Sequence, residues 1–189
     1  IYKDVRNYMH TIGEDVKNEE GHIIGYKQNN EEYVFVVIDH CTFLQAENIN
    51  GTNTQWDSLK HLSQEYLSRQ LKDRFKCIVV LIQQQASETE RQEFYKGETV
   101  ISKLEPSLNG LGIFKNTQQD ATMVLGIFNP ARYDIEKYYG YDIRILQHKA
   151  RFLIVLKDRL FGQEGLRIPM LFNGATNKFI ELPLPDSEE

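Results

Sequence analysis

Short runs of apolar residues, unbroken by polar ones, mark the predicted strands of this chain. The first is YVFVVI at residues 33–38, which contains three valines and is followed by Asp39. Such a run is typical of a strand buried on both faces, as in a parallel sheet that is covered by helices. The runs CIVVLI at 77–82, ATMVLGIF at 121–128 and FLIVLK at 152–157 predict three further strands.

Two segments have apolar residues at helical spacing instead. Residues 1–12 predict an amphipathic helix that ends at Gly13, and a second stripe predicts a helix from a cap at Thr54 to about Phe75. The acid-rich residues 14–32 between the first helix and the first strand are predicted to be a surface excursion.

The second half of the chain begins and ends irregularly. Residues 86–119 have little periodicity and many charges, which predicts a long loop that is functional or mobile. Near the C-terminus, LRIPMLF and NKFIEL flank Asn173 and Gly174, a pattern that predicts a β-hairpin, and residues 182–189 are predicted to be a frayed tail.

The order of these elements predicts an α/β fold, with parallel strands in the first half followed by antiparallel strands and a C-terminal hairpin. With 189 residues, of which 41% are hydrophobic, the chain can bury one sizeable core, so residues 1–189 are predicted to be a single domain.

Asp39 is the first candidate for chemistry. In open α/β sheets ligands bind at the carboxyl ends of the strands, and an acid there is well placed to hold Mg²⁺, directly or through water, beside a phosphate. The alternative is that Asp39 only begins the next turn.

Charge excludes one class of function and leaves another open. The chain has 22 Lys and Arg against 27 Asp and Glu, a net charge of -5, so it is not a globally basic nucleic-acid binder. Residues 144–167, however, contain six basic residues against two acids, whereas residues 1–60 contain five against ten. A local basic strip is therefore predicted near the C-terminus.

Composition also bears on the compartment. Both cysteines, Cys41 and Cys77, lie in or beside apolar runs, where they are expected to be buried thiols in a reducing compartment. No signal peptide is recognised, and no apolar run approaches the ~18 residues of a membrane span. We therefore expect a cytoplasmic protein that does not act in a membrane.

Four segments, taken in order, resemble a known family. They are VVIDHCTFL at 36–44, CIVVLIQQQ at 77–85, LEPSLNGLGIFKNTQQDATMVLGIF at 104–128 and VLKDRLFGQEGLRIPMLFNG at 155–174. Their order and spacing resemble the C-terminal ATPase domain of DnaB-type replicative helicases, a hexameric branch of the RecA-like P-loop fold. The resemblance covers residues 33–179 and implies a RecA-like sheet.

The resemblance also implies roles for individual residues in binding ATP and Mg²⁺. Asp39 matches the Walker B acid at the magnesium site, and Gln83 matches the glutamine that senses the γ-phosphate. Lys157 and Arg159 match the Lys-x-Arg pair that reaches the nucleotide of the neighbouring subunit, with Arg159 as an arginine finger. Such groups neutralise charge on the γ-phosphate, which is what phosphoryl transfer to water requires.

Two departures from the family's pattern change the expected activity. The sequence contains no G-x-x-x-x-G-K-[ST] motif to hold the β- and γ-phosphates, and no equivalent of the acid that positions the attacking water. The chain therefore resembles the second half of a RecA-like core and is predicted not to hydrolyse ATP alone. If half of the sheet is missing, the strand at 33–38 exposes an edge and an apolar face, which favours self-association.

DNA binding is the least supported implication of the resemblance. In the family, the loop after the sensor strand carries basic residues toward single-stranded DNA. Here Lys96, Lys103 and Lys115 are the lysines of that loop, and five glutamates dilute their charge. Single-stranded DNA stays a candidate partner, with self-association into a ring as the other.

Two rival hypotheses remain at this point. One is a non-catalytic RecA-like module that assembles with itself or a partner, and the other is a RecA-like ATPase that acts on proteins rather than on DNA. His40 and Cys41 are adjacent and would point to opposite faces of a strand, so they cannot form a Cys-His dyad with each other. The remaining histidines lack the spacing of zinc ligands, and no Gly-x-Ser-x-Gly motif of a nucleophilic serine occurs.

Overall fold

The computed structural model describes residues 1–41, 44, 54–86, 94–95, 98–111 and 117–185, and it divides into two compact units. We call Ile1–Gln84 the N-terminal unit and Gln85–Glu189 the C-terminal unit. Each has its own hydrophobic core. The single domain expected from chain length stays a prediction.

The N-terminal unit contains a helix, a hairpin and a β-α-β arrangement. Its elements are α1 (Tyr2–Ile12), β1 (Gly13–Lys17), β2 (Ile23–Gln28), β3 (Phe35–Ile38), α2 (Gln55–His61), a π-helix (Leu62–Arg74) that continues α2, and β4 (Ile78–Leu81).

The antiparallel hairpin of β1 and β2 occupies much of the segment predicted to be a surface excursion. Its turn is closed by Asn18, whose Oδ1 accepts hydrogen bonds from the amides of Glu20 and His22, and by Gly21 at a φ of 81°. The Tyr26 hydroxyl on β2 donates to the Met9 carbonyl on α1. The hairpin thereby closes one end of the unit's core.

The helix predicted from Thr54 is confirmed. The Thr54 hydroxyl accepts from the Asp57 amide at 3.1 Å and caps α2, and the helical segment ends at Phe75, whose amide donates to the Gln70 carbonyl. This segment connects β3 to β4, which pair in parallel with Phe35 opposite Ile78 and Ile38 opposite Leu81.

The core of the N-terminal unit lies between the helices and one face of this two-stranded sheet. Burial alternates along β3: Val36 is 9% exposed and Val37 is 58% exposed. The expected burial of this strand on both faces is therefore not what the structure has, because nothing among the described residues covers its second face. The buried core residues are Met9, Val36, Ile38, Leu67, Leu71, Phe75 and Cys77.

The C-terminal unit is mainly antiparallel. Its strands are β5 (Phe94–Tyr95), β6 (Glu98–Thr99), β7 (Met123–Phe128), β8 (Lys137–Tyr138), β9 (Tyr141–Asp142), β10 (Ala150–Asp158), β11 (Arg167–Asn173) and β12 (Lys178–Glu181). Its helices are α3 (Thr117–Asp120) and α4 (Ile143–Leu146), with 3₁₀ turns at Ile101–Lys103, Leu108–Gly110, Pro130–Tyr133 and Gln147–Lys149.

The main sheet of this unit has the strand order β12-β11-β10-β7. β10, the longest strand in the described part of the chain, pairs with β7 on one side and with β11 on the other, and five of its nine residues are buried. The predicted hairpin is confirmed as β11 and β12, whose turn is closed by a hydrogen bond from the Ala175 amide to Asn173 Oδ1. Parallel strands are thus followed by antiparallel ones and the α/β class holds, while a RecA-like sheet stays a prediction.

The core of the C-terminal unit is aromatic. Tyr138 lies edge-on to Phe152 at 4.5 Å between ring centroids and close to Phe128, so this tyrosine is a packing residue. The core residues are Leu104, Phe128, Ile135, Tyr138, Ile143, Ala150, Phe152 and Ile154.

A polar group of three residues closes this core. The Tyr138 hydroxyl donates to Glu105 Oε1 at 2.7 Å, and Arg167 Nη2 donates to Glu105 Oε2 at 2.6 Å. Burial first, and then the bond to Glu105, raise the pKa of Tyr138 far above that of a free tyrosine. The group fixes the segment around Glu105 to β8 and β11.

No helix in the described parts of the chain is both long enough and apolar enough to cross a membrane.

Candidate functional site

Asp39 and Gln83 follow neighbouring parallel strands. The Ile82 amide donates to the Ile38 carbonyl at 3.0 Å, so the ladder between β3 and β4 continues to the last residue before each of them. The Cys41 amide then donates to the Ile82 carbonyl at 3.3 Å. An acid and an amide are therefore brought to the same carboxyl edge of one sheet, where a ligand can reach both.

Asp39 itself is exposed, and its carboxylate makes no hydrogen bond or ion pair with any described residue. The peptide bond between Asp39 and His40 is cis. Gln83 is half-buried. Nearby, Cys41 is buried, and burial raises the pKa of its thiol, so it is unsuited to act as a nucleophile.

Among the described residues that follow β3 and β4, Asp39 is the acid available to a metal. No group of three or more His, Cys, Asp or Glu side chains with metal-binding geometry lies within the described ranges. One carboxylate is nevertheless compatible with Mg²⁺, which keeps several waters and is commonly bound by one or two carboxylates together with substrate phosphates. The donor set fits a magnesium ion that arrives with a nucleotide.

On the side of the β3–β4 sheet that faces away from the core, the surface is apolar and no described residue covers it. We call it the open face. It is formed by Phe35 and Val37 on β3 and by Ile78 and Val80 on β4, each at least 40% exposed, and Tyr33 extends it. Parallel sheets are normally covered on both faces, so this surface is unusual for a complete α/β domain.

The free edge of β3 lies beside the open face. Hydrogen bonds from the Ile78 amide to the Val34 carbonyl and from the Ile82 amide to the Ile38 carbonyl show that even-numbered residues of this strand bond to β4. Alternation along a strand then directs the backbone groups of Phe35 and Val37 to the other edge. That edge and α1 enclose a groove of about 580 Å³, lined by Ile1, Asp4, Val5, Tyr8 and residues 33–37.

The other two predicted site residues lie in the C-terminal unit, at the end of β10. Lys157 is half-buried, and its Nζ donates to the Gln118 carbonyl within α3. Burial, and to a smaller extent the neighbouring Arg159, lowers the pKa of Lys157. The Arg159 side chain is exposed, and its guanidinium makes no hydrogen bond or ion pair with the described part of the chain. Of the two cations, Arg159 is therefore the one whose charged group is exposed and makes no contact with an acid in the described part of the chain.

Asp158, between these two cations, organises the loop that follows β10 and was not singled out from the sequence. Its carboxylate is buried and accepts backbone hydrogen bonds from Leu160, Phe161 and Gln163 at 2.9, 3.1 and 3.3 Å. Burial alone raises the pKa of Asp158, but these three amides outweigh burial and lower it. An Asp followed by two glycines within seven residues is the only sequence signal of this turn.

Of the three lysines predicted to contact DNA, one lies in the described part of the chain. Lys103 is exposed at the end of a 3₁₀ turn in the C-terminal unit. Lys96 and Lys115 lie outside the described residues, so their positions do not bear on the prediction.

No protein-family model matches this chain, and no curated protein matches it significantly.

Proposed function

We propose that this chain supplies part of the ATP site of a DnaB-type ring helicase, an ATPase that unwinds DNA during replication. The observation that carries the proposal is the parallel strand pair whose adjacent carboxyl ends continue into Asp39 and Gln83. An acid for the metal and an amide for the γ-phosphate are the two groups that the second half of a RecA-like core contributes.

The chemistry assigned to these residues is charge neutralisation. Asp39 would hold Mg²⁺ through an oxygen or a water, and the ion would offset charge on the phosphates of ATP. The Gln83 amide can donate a hydrogen bond to a phosphate oxygen. Arg159, exposed and without an anionic partner among the described residues, suits a finger that reaches the nucleotide of the next subunit in a ring.

The open face supports the view that this half of the core is incomplete. It consists of side chains from two strands of four residues each. A parallel strand pair is normally covered on both faces by helices of its own fold. A further layer of the same fold is therefore the best candidate to cover it, and a P-loop half would be such a layer.

A second function is favoured by the missing phosphate-binding motif. Without a P-loop, the same strand pair could act as a non-catalytic RecA-like module that assembles with a partner and regulates it. A RecA-like ATPase that acts on proteins stands beside these as the alternative in which DNA plays no part.

Titration with a fluorescent ATP analogue and Mg²⁺ tests the proposal. We expect no saturable binding by this chain alone, and binding by a longer protein in which it follows a P-loop half. In that longer protein Asp39→Ala should weaken binding strongly, whereas Asp73→Ala, at an exposed acid on the π-helix, should not.

Two results would contradict the proposal. Tight binding by the chain alone, abolished by Asp39→Ala, would indicate a complete nucleotide site of another kind. Failure of the longer protein to bind the analogue would favour the regulatory module. Salt-dependent binding of single-stranded DNA then separates the helicase from an ATPase that acts on proteins.

A further inference from the structure

The main sheet of the C-terminal unit is apolar on both of its faces. Phe152 and Ile154 of β10 lie in the aromatic core, where they are 1% and 2% exposed. Because side chains alternate along a strand, Arg151 and Leu153 lie on the opposite face, which we call the back face. Its apolar members are Leu125 and Ile127 on β7, Leu153 on β10, Ile168, Met170 and Phe172 on β11, and Phe179 on β12.

The back face is open to solvent although it is apolar. Leu125, Ile127 and Phe179 are 50%, 58% and 48% exposed. An antiparallel sheet with one solvated face usually alternates apolar and polar residues, whereas β7 reads MVLGIF and β10 contains FLIVL. These strands therefore have the sequence of a sheet that is covered on both sides.

Two charged residues lie on the back face in one row. Arg151 on β10 and Glu181 on β12 are both paired directly with Met170 on β11. Residues that are directly opposite each other in an antiparallel sheet share a face. Neighbouring strands are about 4.8 Å apart, so the backbones of Arg151 and Glu181 are about 10 Å apart across the row.

Neither of these charges has an ionic partner in the described part of the chain. Arg151 is half-buried, and its Nη1 donates to the carbonyls of His148 and Ala150, while its guanidinium carbon lies 5.4 Å from the centroid of the Phe172 ring. Glu181 is exposed, and its carboxylate makes no hydrogen bond or ion pair with a described residue. A half-buried guanidinium without a carboxylate is stabilised when an acid reaches it.

We propose that the back faces of two copies of this chain pack against each other, with Arg151 of each copy against Glu181 of the other. Such a contact is isologous, because both copies use the same surface. A two-fold axis parallel to β11 and midway between the sheets sets β10 of one copy over β12 of the other. Packed sheets are about 10 Å apart with their strands roughly aligned, a gap that an arginine side chain can span.

The two charges select this arrangement over the other two-fold arrangement of the same faces. With the axis along β11, the row brings each Arg151 to a Glu181 and sets the two Met170 side chains against each other. With the axis perpendicular to the strands, the same row would set Arg151 against Arg151 and Glu181 against Glu181, and like charges repel.

A second copy is the occupant that these observations favour. It carries an acid for Arg151, a cation for Glu181 and an apolar surface between them, each at the matching position. The contact involves none of Asp39, Gln83 and Arg159, so the inference goes beyond the proposed function and does not rest on it. It gives the self-association expected from the sequence a defined surface.

Sedimentation velocity of the full chain over a range of concentrations tests the contact. Every protein measured, including the reference, carries Val37→Ser, which interrupts the open face and so limits association through it. We expect the reference to form a reversible dimer and Glu181→Arg to weaken it about tenfold, because like charges then meet at two places. Arg151→Glu combined with Glu181→Arg should restore the dimer, since the exchanged charges again face each other.

A matched control and a second readout accompany these variants. Glu136→Arg makes the same change of charge at an exposed acid beside the core residue Ile135, and it should leave dimerisation unchanged. For the second readout, Met170→Cys and Ile180→Cys are labelled with a maleimide, since the native thiols are buried. Ile180 is exposed on the opposite face of β12, so raising the protein concentration should slow labelling at Met170→Cys and not at Ile180→Cys.

Three results would overturn the proposal: a reference protein that stays monomeric at high concentration, a Glu181→Arg variant that dimerises as the reference does, and a double exchange as weak as Glu181→Arg. Circular dichroism checks that each variant is folded, and if the double exchange is not, the labelling of Met170→Cys decides. All of these measurements are made without nucleotide, so a failure here is distinct from a failure of the ATP titration.

Discussion

The Ile82 amide donates a hydrogen bond to the Ile38 carbonyl at 3.0 Å, across a parallel ladder that joins residues more than forty positions apart. The residues that come next, Gln83 and Asp39, consequently leave the sheet at one edge. The same ladder divides the side chains of β3 into a buried set and an exposed set, and this division gives the first prediction.

Val36 and Val37 are adjacent valines in opposite environments. Val36→Ala should lower the free energy of unfolding by about 2 kcal/mol, because it leaves a cavity in the core. Val37→Ala should change it by no more than about 0.5 kcal/mol, since the side chain is mostly in water. Urea denaturation measures both.

A further substitution at Val37 separates stability from association. Val37→Ser should reduce binding of a hydrophobic dye and reduce self-association in light scattering, because it interrupts the open face. Equal losses of stability at both positions would mean that the open face is covered in solution.

The strands that could be predicted from sequence are those marked by a continuous run of apolar residues. Residues 77–82, 121–128 and 152–157 each correspond to a strand, and their bounds shift by at most two residues. The β1–β2 hairpin could not be found in this way, because its inward residues are held by long-range contacts. Asp15 on β1 accepts a hydrogen bond from Arg74, which lies 59 positions away.

The candidate site was predictable to a similar degree. Asp39 could be assigned to a strand end because a run of apolar residues stops there. Which face of that strand is bare could not be inferred, since it depends on what packs against it. The role of Asp158 was likewise hidden, because its three partners are backbone amides brought to it by two glycines with positive φ.

Acid should destabilise the N-terminal unit through Asp15. Burial raises the pKa of this carboxyl, but hydrogen bonds and charge from Arg74, with His10, outweigh burial and lower it. A lowered folded-state pKa contributes stability that is complete above the unfolded value of about 3.9 and is lost as pH falls through the folded value.

Urea denaturation between pH 3 and pH 6 measures this contribution. Asp15→Asn should reduce stability at pH 6 and should flatten the loss of stability below pH 4, while Asp4→Asn, at an exposed acid on α1, should leave the pH dependence almost unchanged. If the free energy of unfolding of Asp15→Asn falls with pH as steeply as that of the wild type, other groups cause the loss of stability in acid.

Glu105 and Arg167 should be energetically coupled in the C-terminal unit. Their side chains are 15% and 23% exposed, so solvent screens the pair only partly. Glu105→Gln leaves the guanidinium without its charged partner and should cost about 1–3 kcal/mol.

A double-mutant cycle with Arg167→Met measures the coupling free energy between Glu105 and Arg167. Tyr138→Phe measures how much the hydroxyl that donates to Glu105 contributes to stability. A coupling energy near zero would show that the ion pair is not formed in solution.

Asp158 should control the order of the loop that carries Arg159. Asp158→Ala removes the acceptor for the amides of Leu160, Phe161 and Gln163, so we expect these three amides to exchange hydrogen faster, with a loss of about 1–2 kcal/mol in stability. Asp142→Ala provides a matched control, because Asp142 also accepts from backbone and guanidinium groups but lies at the start of α4.

The control Asp142→Ala should leave hydrogen exchange in the loop after β10 unchanged, while it should speed exchange in α4. Because Arg159 immediately follows Asp158, loosening the loop should also weaken any contact that Arg159 makes with an external anion. Asp158→Asn should restore only part of the order of the loop, since the neutral amide oxygen is a weaker acceptor than a carboxylate. If hydrogen exchange in the loop is the same in Asp158→Ala as in the wild type, the carboxylate does not organise it, and the fixed presentation of Arg159 has to be given up.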